Sequence, residues 1–249
     1  MRMVIAALMF ASAAALAQPA APVGDAPARR TEFEEFFENG RFDHTGYAVE
    51  VVKPLKDAGD LAALRAAENR VVQDERVVPL LRATYARGAA YTRRREAGVD
   101  AALEYLDSLP AEGFGTVESR AVLLNARASE MAVAGRYEDA LPHARTAAQI
   151  CPSHWYRRRA LETVSQCAAA TGRDSEALDA ALDALIRYSD SIRPDEAMRF
   201  YRTVQRLGAR TMAPADFWQI RLRLDGAYPP ADQDPAAWAD FIEILGVRK

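Results

Sequence analysis

Hydrophobic residues recur at three- and four-residue intervals along most of the chain, and evenly spaced glycines interrupt this pattern. The glycines are separated by 39, 37, 37 and 36 residues, and each lies between segments with helical apolar spacing. They are Gly59, Gly98, Gly135, Gly172 and Gly208. A glycine between two amphipathic segments is typical of the turn between two helices. The sequence therefore predicts an all-α fold of helix pairs with almost no sheet.

The residues after these glycines repeat as well. The segment GRYEDAL at residues 135–141 aligns without a gap with GRDSEAL at residues 172–178, and GVDAAL at residues 98–103 fits with one residue deleted. Beyond the turn, small residues follow at steps of four and three along one helical face. This alanine stripe consists of Ala140, Ala144 and Ala147 in one repeat and Ala177, Ala181 and Ala184 in the next. Side chains this small are expected at a close contact between helices.

These features resemble the tetratricopeptide repeat family. Gly135 and Tyr137 are similar to its turn, the alanine stripe to the small residues of its second helix, and Pro152 to its closing proline. The resemblance implies a right-handed α-solenoid of antiparallel helix pairs. It also implies a concave surface, lined by the first helix of each pair, that binds a protein or peptide segment.

The first helix departs from the family pattern. Leu124, Arg127, Ala128 and Met131 stand where Trp-x-x-Leu-Gly-x-x-Tyr is expected, and the period is about three residues longer than the usual 34. The repeat is therefore degenerate, and a neighbouring helical-repeat family remains an alternative.

Patterning also predicts the division of the chain. Residues 31–192 form the helical repeat domain, with the clearest repeats at residues 121–189. Residues 193–249 keep helical spacing but lose the alanine stripe, which predicts capping helices that include a last helix at about residues 235–245. A separate small helical domain is the alternative for this region. Its landmarks are Pro194 and Pro214 near helix starts and the bulky Trp218 and Trp238.

The first 30 residues are predicted to lie outside the fold. Arg2, the apolar run that follows it and the Ala15-Leu16-Ala17 site are typical of a signal peptide over residues 1–17, cleaved after Ala17. Residues 18–30 contain three prolines and read as a linker. We therefore expect a periplasmic or secreted protein without stable membrane insertion.

The repeat domain is predicted to open with a short amphipathic helix. Thr31 and Glu34 match a capping box, and Gly40 follows Asn39 as a stop signal. The apolar face of this helix would consist of Phe33, Phe36 and Phe37.

Charge excludes some partners. The formal net charge is −3, from 32 basic and 35 acidic residues, so the chain lacks the single-sign field of a dedicated nucleic-acid-binding protein. No nucleic acid partner is therefore predicted.

Candidate contact residues lie on two predicted first helices. Asn125 and Ser129 are four residues apart on the first of these helices, over residues 116–134. On the next helix, Arg159, Glu162 and Gln166 follow three- and four-residue steps. Arg157, Arg158 and Arg159 also place three cations at a helix start, where the helix dipole does not favour them, so an anionic partner would compensate. The alternative is that all these residues are ordinary solvated side chains.

The sequence carries none of the common catalytic motifs. It contains no Gly-x-Ser-x-Gly elbow, His-Glu-x-x-His zinc motif or phosphate-binding loop. Glu34 and Glu38 are read as one face of an amphipathic helix, not as an acid and base. Cys151 and Cys167 are expected to be buried free thiols, because the predicted helix geometry holds them too far apart for a disulfide.

The sequence thus favours an exported interaction module of the cell envelope that has no cofactor, no metal and no enzymatic activity. The alternative is an envelope enzyme, or its accessory domain, that acts on cell-wall material.

Overall fold

The computed structural model describes residues 32–187, 194–213 and 216. The predicted signal peptide, the linker and Thr31 lie outside the described residues. So do Pro214, Trp218, Trp238 and the helix predicted at residues 235–245. Of the predicted C-terminal region, the described part is essentially one helix, Pro194–Thr211.

The described part of the chain is mostly α-helical, as the hydrophobic pattern predicts. It opens with a 3-10 turn at Phe33–Phe36, followed by two short strands, β1 (Phe37–Glu38) and β2 (Arg41–Phe42). A nearly continuous helical stretch follows, made of α1 (His44–Tyr47), a π-helical segment (Ala48–Val52) and α2 (Lys53–Ala58). The remaining helices are α3 (Leu61–Gln73), α4 (Pro79–Ala97), α5 (Val99–Asp107), α6 (Val117–Val133), α7 (Tyr137–Ile150), α8 (His154–Ala170), α9 (Asp174–Arg187) and α10 (Pro194–Thr211).

The prediction of an amphipathic helix between Thr31 and Gly40 is wrong. The helical part is a single 3-10 turn capped by Glu32, whose backbone N–H donates to Oε2 of Glu35 at 2.9 Å. The chain then forms a hairpin in which Phe37 pairs with Phe42. Asn39 and Gly40 have φ values of 51° and 74°, the left-handed conformation that Asn-Gly adopts in a two-residue hairpin turn. The same dipeptide therefore ends a strand here and not a helix.

Four of the five predicted turn glycines do separate helices. Gly59, Gly98, Gly135 and Gly172 have φ values of 70°, 93°, 75° and 75°, which residues with a Cβ rarely adopt. The fifth prediction is wrong, because Gly208 lies inside α10. Its even spacing from the others is not accompanied by a left-handed backbone, and one glycine within a helix costs only about 1 kcal/mol.

Packing follows the order of the chain. Each helix from α3 to α10 packs on the next one, and α4 also contacts α6, which in turn contacts α8. The alanine stripe is confirmed as a buried contact, since all six of its members are 0% exposed. All of them except Ala147 belong to a core shared by α6, α7, α8, α9 and α10.

Two further predictions concerned the cysteines and membrane insertion. Cys151 and Cys167 are buried and free, as predicted. Within the part of the chain that the structure describes, no helix is both long and apolar enough to cross a membrane.

Candidate partner-binding groove

A groove of about 700 Å³ runs across four helices of the array, α3, α4, α6 and α8, and reaches α2 at one end. We call it the central groove. Its wall residues are Val52, Lys56, Leu64, Glu68, Arg87, Gly88, Tyr91, Thr92, Arg94, Arg95, Ala126, Ser129, Glu130, Val133, Arg159 and Gln166.

The central groove is cationic although the whole chain is slightly acidic. Five of its side chains are basic and two are acidic, whereas the formal charge of the chain is −3. Exposed apolar groups accompany this charge, because Tyr91 is 45% and Val133 56% exposed. The groove therefore combines positive potential with surfaces on which apolar groups can pack.

Two arginines of the groove flank one indole ring. The guanidinium carbons of Arg87, from α4, and Arg159, from α8, lie 5.7 and 5.2 Å from the centroid of the Trp155 ring, within the range of a cation–π contact. Trp155 packs edge-on against Tyr156 with ring centroids 4.7 Å apart, and the Tyr156 hydroxyl hydrogen-bonds Oγ1 of Thr84 at 2.8 Å. This contact ties the start of α8 to α4 and fixes the position of the indole.

Arg87 carries a charge that the described residues do not neutralise. Among them, no carboxylate lies within 4 Å of its guanidinium. Burial lowers the pKa of Arg87, and the nearby charge of Arg159 acts in the same direction. An arginine nevertheless stays protonated, so this side of the groove concentrates positive charge that an anionic ligand would offset.

A buried carboxyl group also forms part of the groove wall. Glu68 on α3 is 7% exposed and accepts a hydrogen bond from Oγ1 of Thr92 at 2.9 Å. A Cβ on Gly88 would lie 2.5 Å from Oε1 of Glu68, so the glycine leaves the space that the carboxyl group occupies. Burial raises the pKa of Glu68 to about 7, although the Thr92 hydrogen bond and the charges of Arg93 and Lys56 lower it.

The second acidic wall residue is already paired. Oε2 of Glu130 lies 3.3 Å from Nε of Arg94, whose guanidinium carbon stands 4.9 Å from the Tyr91 ring centroid. Burial raises the pKa of Glu130, and the charge of Arg94 opposes this rise. Arg159 also has an acidic neighbour, since its Nη1 lies 3.4 Å from Oε2 of Glu162. The other basic side chains of the groove are Lys56, Arg87 and Arg95.

No family model, curated protein or solved structure matches this chain. Among the described residues, His, Cys, Asp and Glu side chains do not gather in groups of three that could hold a metal ion.

The structure places four of the six predicted contact residues at surface cavities. Ser129, Arg159 and Gln166 line the central groove. Glu162 lines a second cleft of about 370 Å³, between α8 and α10, and Gln166 stands in the walls of both. The three residues predicted on α8 therefore line one or both of these cavities, and Gln166 is the residue that the cavities share.

The other two predicted contact residues are inside the protein. Asn125 is 8% exposed and Arg158 is 0% exposed. Consecutive residues of a helix point about 100° apart, so Arg157, Arg158 and Arg159 cannot share one face. Arg158 is directed into the fold, and we exclude it from the candidate contacts.

Sequence reasoning missed the strongest features of the groove. Arg87 and Glu68 lie on helices without the alanine stripe, and neither belongs to a motif. One signal was present in the sequence, a glycine at position 88 within a helical run, since such a glycine often marks a close approach by another group.

Proposed function

We propose that this protein is an exported interaction module whose central groove holds an acidic segment of a partner protein in the cell envelope. In this proposal the helix pairs form a right-handed solenoid of the tetratricopeptide kind, with α4, α6 and α8 as first helices. The succession of contacts from α4 to α6 and from α6 to α8 supports this arrangement. The protein acts by binding and not by catalysis.

The observation that carries the proposal is the charge of Arg87, which has no carboxylate of the described residues within 4 Å and which shares the Trp155 ring with a second guanidinium, that of Arg159. Two guanidinium groups held beside one indole repel each other, and this repulsion is relieved when a carboxylate binds between or beside them. The gain is larger here than at an open surface, because half-buried charges are less screened by water and salt. An acidic side chain of the partner is therefore the group that fits.

The extent of the groove favours a peptide segment over a small molecule. Packed helices stand about 8–10 Å apart, so α4, α6 and α8 together span roughly 20 Å. An extended chain covers that distance with about six residues. Tyr91 and Val133 offer apolar contacts to residues next to the acidic ones.

A binding assay tests this function directly. The full chain is titrated into a rhodamine-labelled deca-aspartate peptide at low and moderate salt, with deca-lysine as the opposite-charge probe. We compare it with a double variant, Arg87→Gln with Arg159→Gln. The control variant, Arg120→Gln with Arg136→Gln, removes the same charge from residues that do not line the groove.

We expect at least a tenfold loss of deca-aspartate affinity in the groove variant, because a tenfold change corresponds to only about 1.4 kcal/mol. Affinity for the wild type should also fall as salt rises. Equal losses in the groove and control variants would mean that binding depends on overall charge and not on this groove. Chemical crosslinking in envelope extract, followed by mass spectrometry, would then identify the natural partner.

Export is tested separately. The proposal expects the mature chain to begin at Gln18 and to be recovered in a soluble envelope extract. N-terminal sequencing of the purified protein measures this, and a product that begins at Met1 and stays with the membrane would contradict it.

A further inference from the structure

We infer that Glu68 determines which charge the central groove accepts, so that the groove holds an acidic segment while this carboxyl group keeps its proton and releases the segment when the proton is lost. The inference rests on the proposed function and deepens it. It adds a residue that sets specificity and a condition under which binding changes.

The local geometry sets Glu68 apart from an ordinary surface carboxylate. The side chain starts on α3 and reaches the groove wall at the position of Gly88 on α4. Any Cβ there would stand 2.5 Å from Oε1, so only glycine leaves room for the carboxyl group in this position. Thr92, one helical turn further along α4, donates a hydrogen bond to Oε2 at 2.9 Å. The carboxyl group is thus held in the wall and turned toward the space that a ligand would occupy.

The groups around Glu68 do not neutralise it fully. Arg93 on α4 and Lys56 on α2 act on it through their charges, although among the described residues neither forms a salt bridge with it. The phenols that sense its charge, Tyr47, Tyr85 and Tyr105, have pKa values raised by burial and stay neutral near pH 7. The charge of Glu68 therefore changes near neutrality, since its pKa is raised to about 7.

This position has a direct consequence for the charge of the groove. With Glu68 protonated, Glu130 is the remaining acidic wall residue and is paired with Arg94, so the cations dominate. With Glu68 ionised, a second negative charge faces the ligand in a poorly solvated site, where like charges repel strongly. A bound acidic segment thus favours the protonated form, and by linkage protonation favours binding.

The size of the effect follows from the proton equilibrium. If only the protonated form binds, a group with a pKa of about 7 lowers the affinity about tenfold between pH 6 and pH 8. The same linkage acts on folding with a defined sign. Because the pKa of Glu68 is higher in the folded than in the unfolded chain, its contribution to stability is complete below about pH 4.5 and declines until about pH 7.

The experiment measures deca-aspartate affinity of the full chain from pH 6 to pH 8 at constant ionic strength. Aspartate side chains with a pKa near 3.9 keep the probe fully charged over this range. Glu68→Gln should bind with nearly constant affinity, close to that of the wild type at pH 6. Glu104→Gln, an exposed carboxylate outside the groove, should keep the tenfold decline.

Thr92→Val provides a second route that does not alter the carboxyl group itself. It removes the hydrogen bond that lowers the pKa of Glu68, so the decline in affinity should move to higher pH. Carbon-13 NMR of the glutamate carboxyl groups in free protein measures this pKa without any ligand. It should show a resonance that titrates near pH 7 and is missing in Glu68→Gln.

The outcomes separate the two proposals. Binding with the same pH profile in the wild type and in Glu68→Gln would overturn the role of Glu68 and leave the proposed function intact. The absence of deca-aspartate binding at every pH would overturn the proposed function, and this inference with it. A Glu68 carboxyl group that titrates near pH 4.5 would overturn the inference alone, whichever variants fold.

Discussion

The two ends of the described helical array are built on different side chains. From α6 to α9 the helices meet on the alanine stripe, and all six alanines are completely buried. From Phe33 into α4 the chain packs on aromatic rings instead, with the centroids of Phe36 and Tyr47 5.0 Å apart at an interplanar angle of 86°. This aromatic cluster consists of Phe33, Phe36, Phe37, Phe42, Tyr47 and Tyr85.

The aromatic cluster attaches the non-repeating N-terminal segment of the described chain to α3 and α4. The ring centroid of Phe33, in the 3-10 turn, lies 5.4 Å from that of Phe42 on β2 and 5.5 Å from that of Tyr47 on α1. The Tyr47 hydroxyl donates to the carbonyl of Ala67 at 3.0 Å, which joins α1 to α3. Ala67 precedes Glu68, so this contact also steadies the part of α3 that enters the central groove.

The alanine stripe and the aromatic cluster bury helix surfaces in different ways. Alanines let neighbouring backbones approach closely, so their interface gains from many short contacts and has no space for a larger group. Rings in an edge-to-face arrangement bury a large area per residue and leave a large cavity when one is removed. Opposite substitutions should therefore disrupt the two regions, a deletion at the N-terminal end and an enlargement within the repeats.

The largest expected effect is the loss of a ring from the aromatic cluster. Phe36 is 0% exposed, and Phe36→Ala should lower the free energy of unfolding by about 3–5 kcal/mol because it leaves a cavity among rigid rings. Urea denaturation followed by circular dichroism measures this. Val49→Ala, at a residue that is 58% exposed, is the control and should change little. Similar midpoints for the two variants would mean that the cluster does not hold the segment to the array.

A smaller loss is expected when a stripe alanine is enlarged. Ala140→Phe should lower the free energy of unfolding by about 1–3 kcal/mol, because neighbouring backbones cannot move apart without strain. Gln149→Phe introduces the same ring at an exposed position of the same helix and is the matched control. A denaturation midpoint that Ala140→Phe leaves unchanged would show that this alanine is not at a close contact.

The helices that carry the alanine stripe were easier to predict from the sequence than the aromatic N-terminal segment, because their pattern occurs more than once. An alanine stripe recurs at fixed steps after a turn glycine, so each repeat is evidence for the other. The first segment occurs once, and Asn39-Gly40 is compatible with a helix end or a hairpin turn. Its true structure depends on Phe37 and Phe42 meeting across the hairpin, a pairing that helical periodicity does not encode.

The candidate site was only partly predictable for a related reason. Ser129, Arg159 and Gln166 were found because their spacing puts them on predicted first helices, and all three line the central groove. Arg158 was included because three cations stand together, but rotation along the helix turns it inward. Arg87 and Glu68 come from helices that meet only in three dimensions. Burial shifts the pKa values of both groups, and their burial cannot be inferred from the sequence alone.

The smallest expected effect concerns ion pairs at the surface of the repeats. Arg145 on α7 donates to both carboxylate oxygens of Glu176 on α9, at 2.6 and 2.5 Å, and thereby links two successive helix pairs. Hydrogen bonding to Arg145 lowers the pKa of Glu176, so the pair stabilises the fold above the ordinary pKa of a glutamate and loses this effect as the solution is acidified. Both side chains remain partly exposed, at 44% and 32%, and water screens much of their attraction.

Arg145→Gln should therefore lower the free energy of unfolding by only about 0.2–1 kcal/mol, well below the cost of enlarging Ala140. A double-mutant cycle with Glu176→Gln isolates the pair, because removing either partner alone also changes contacts with other groups. The coupling energy should shrink further at high salt, since exposed charges are screened over about 8 Å at physiological ionic strength. A coupling as large as the Ala140→Phe effect would mean that charge, and not the close approach of alanine-lined backbones, joins one helix pair to the next.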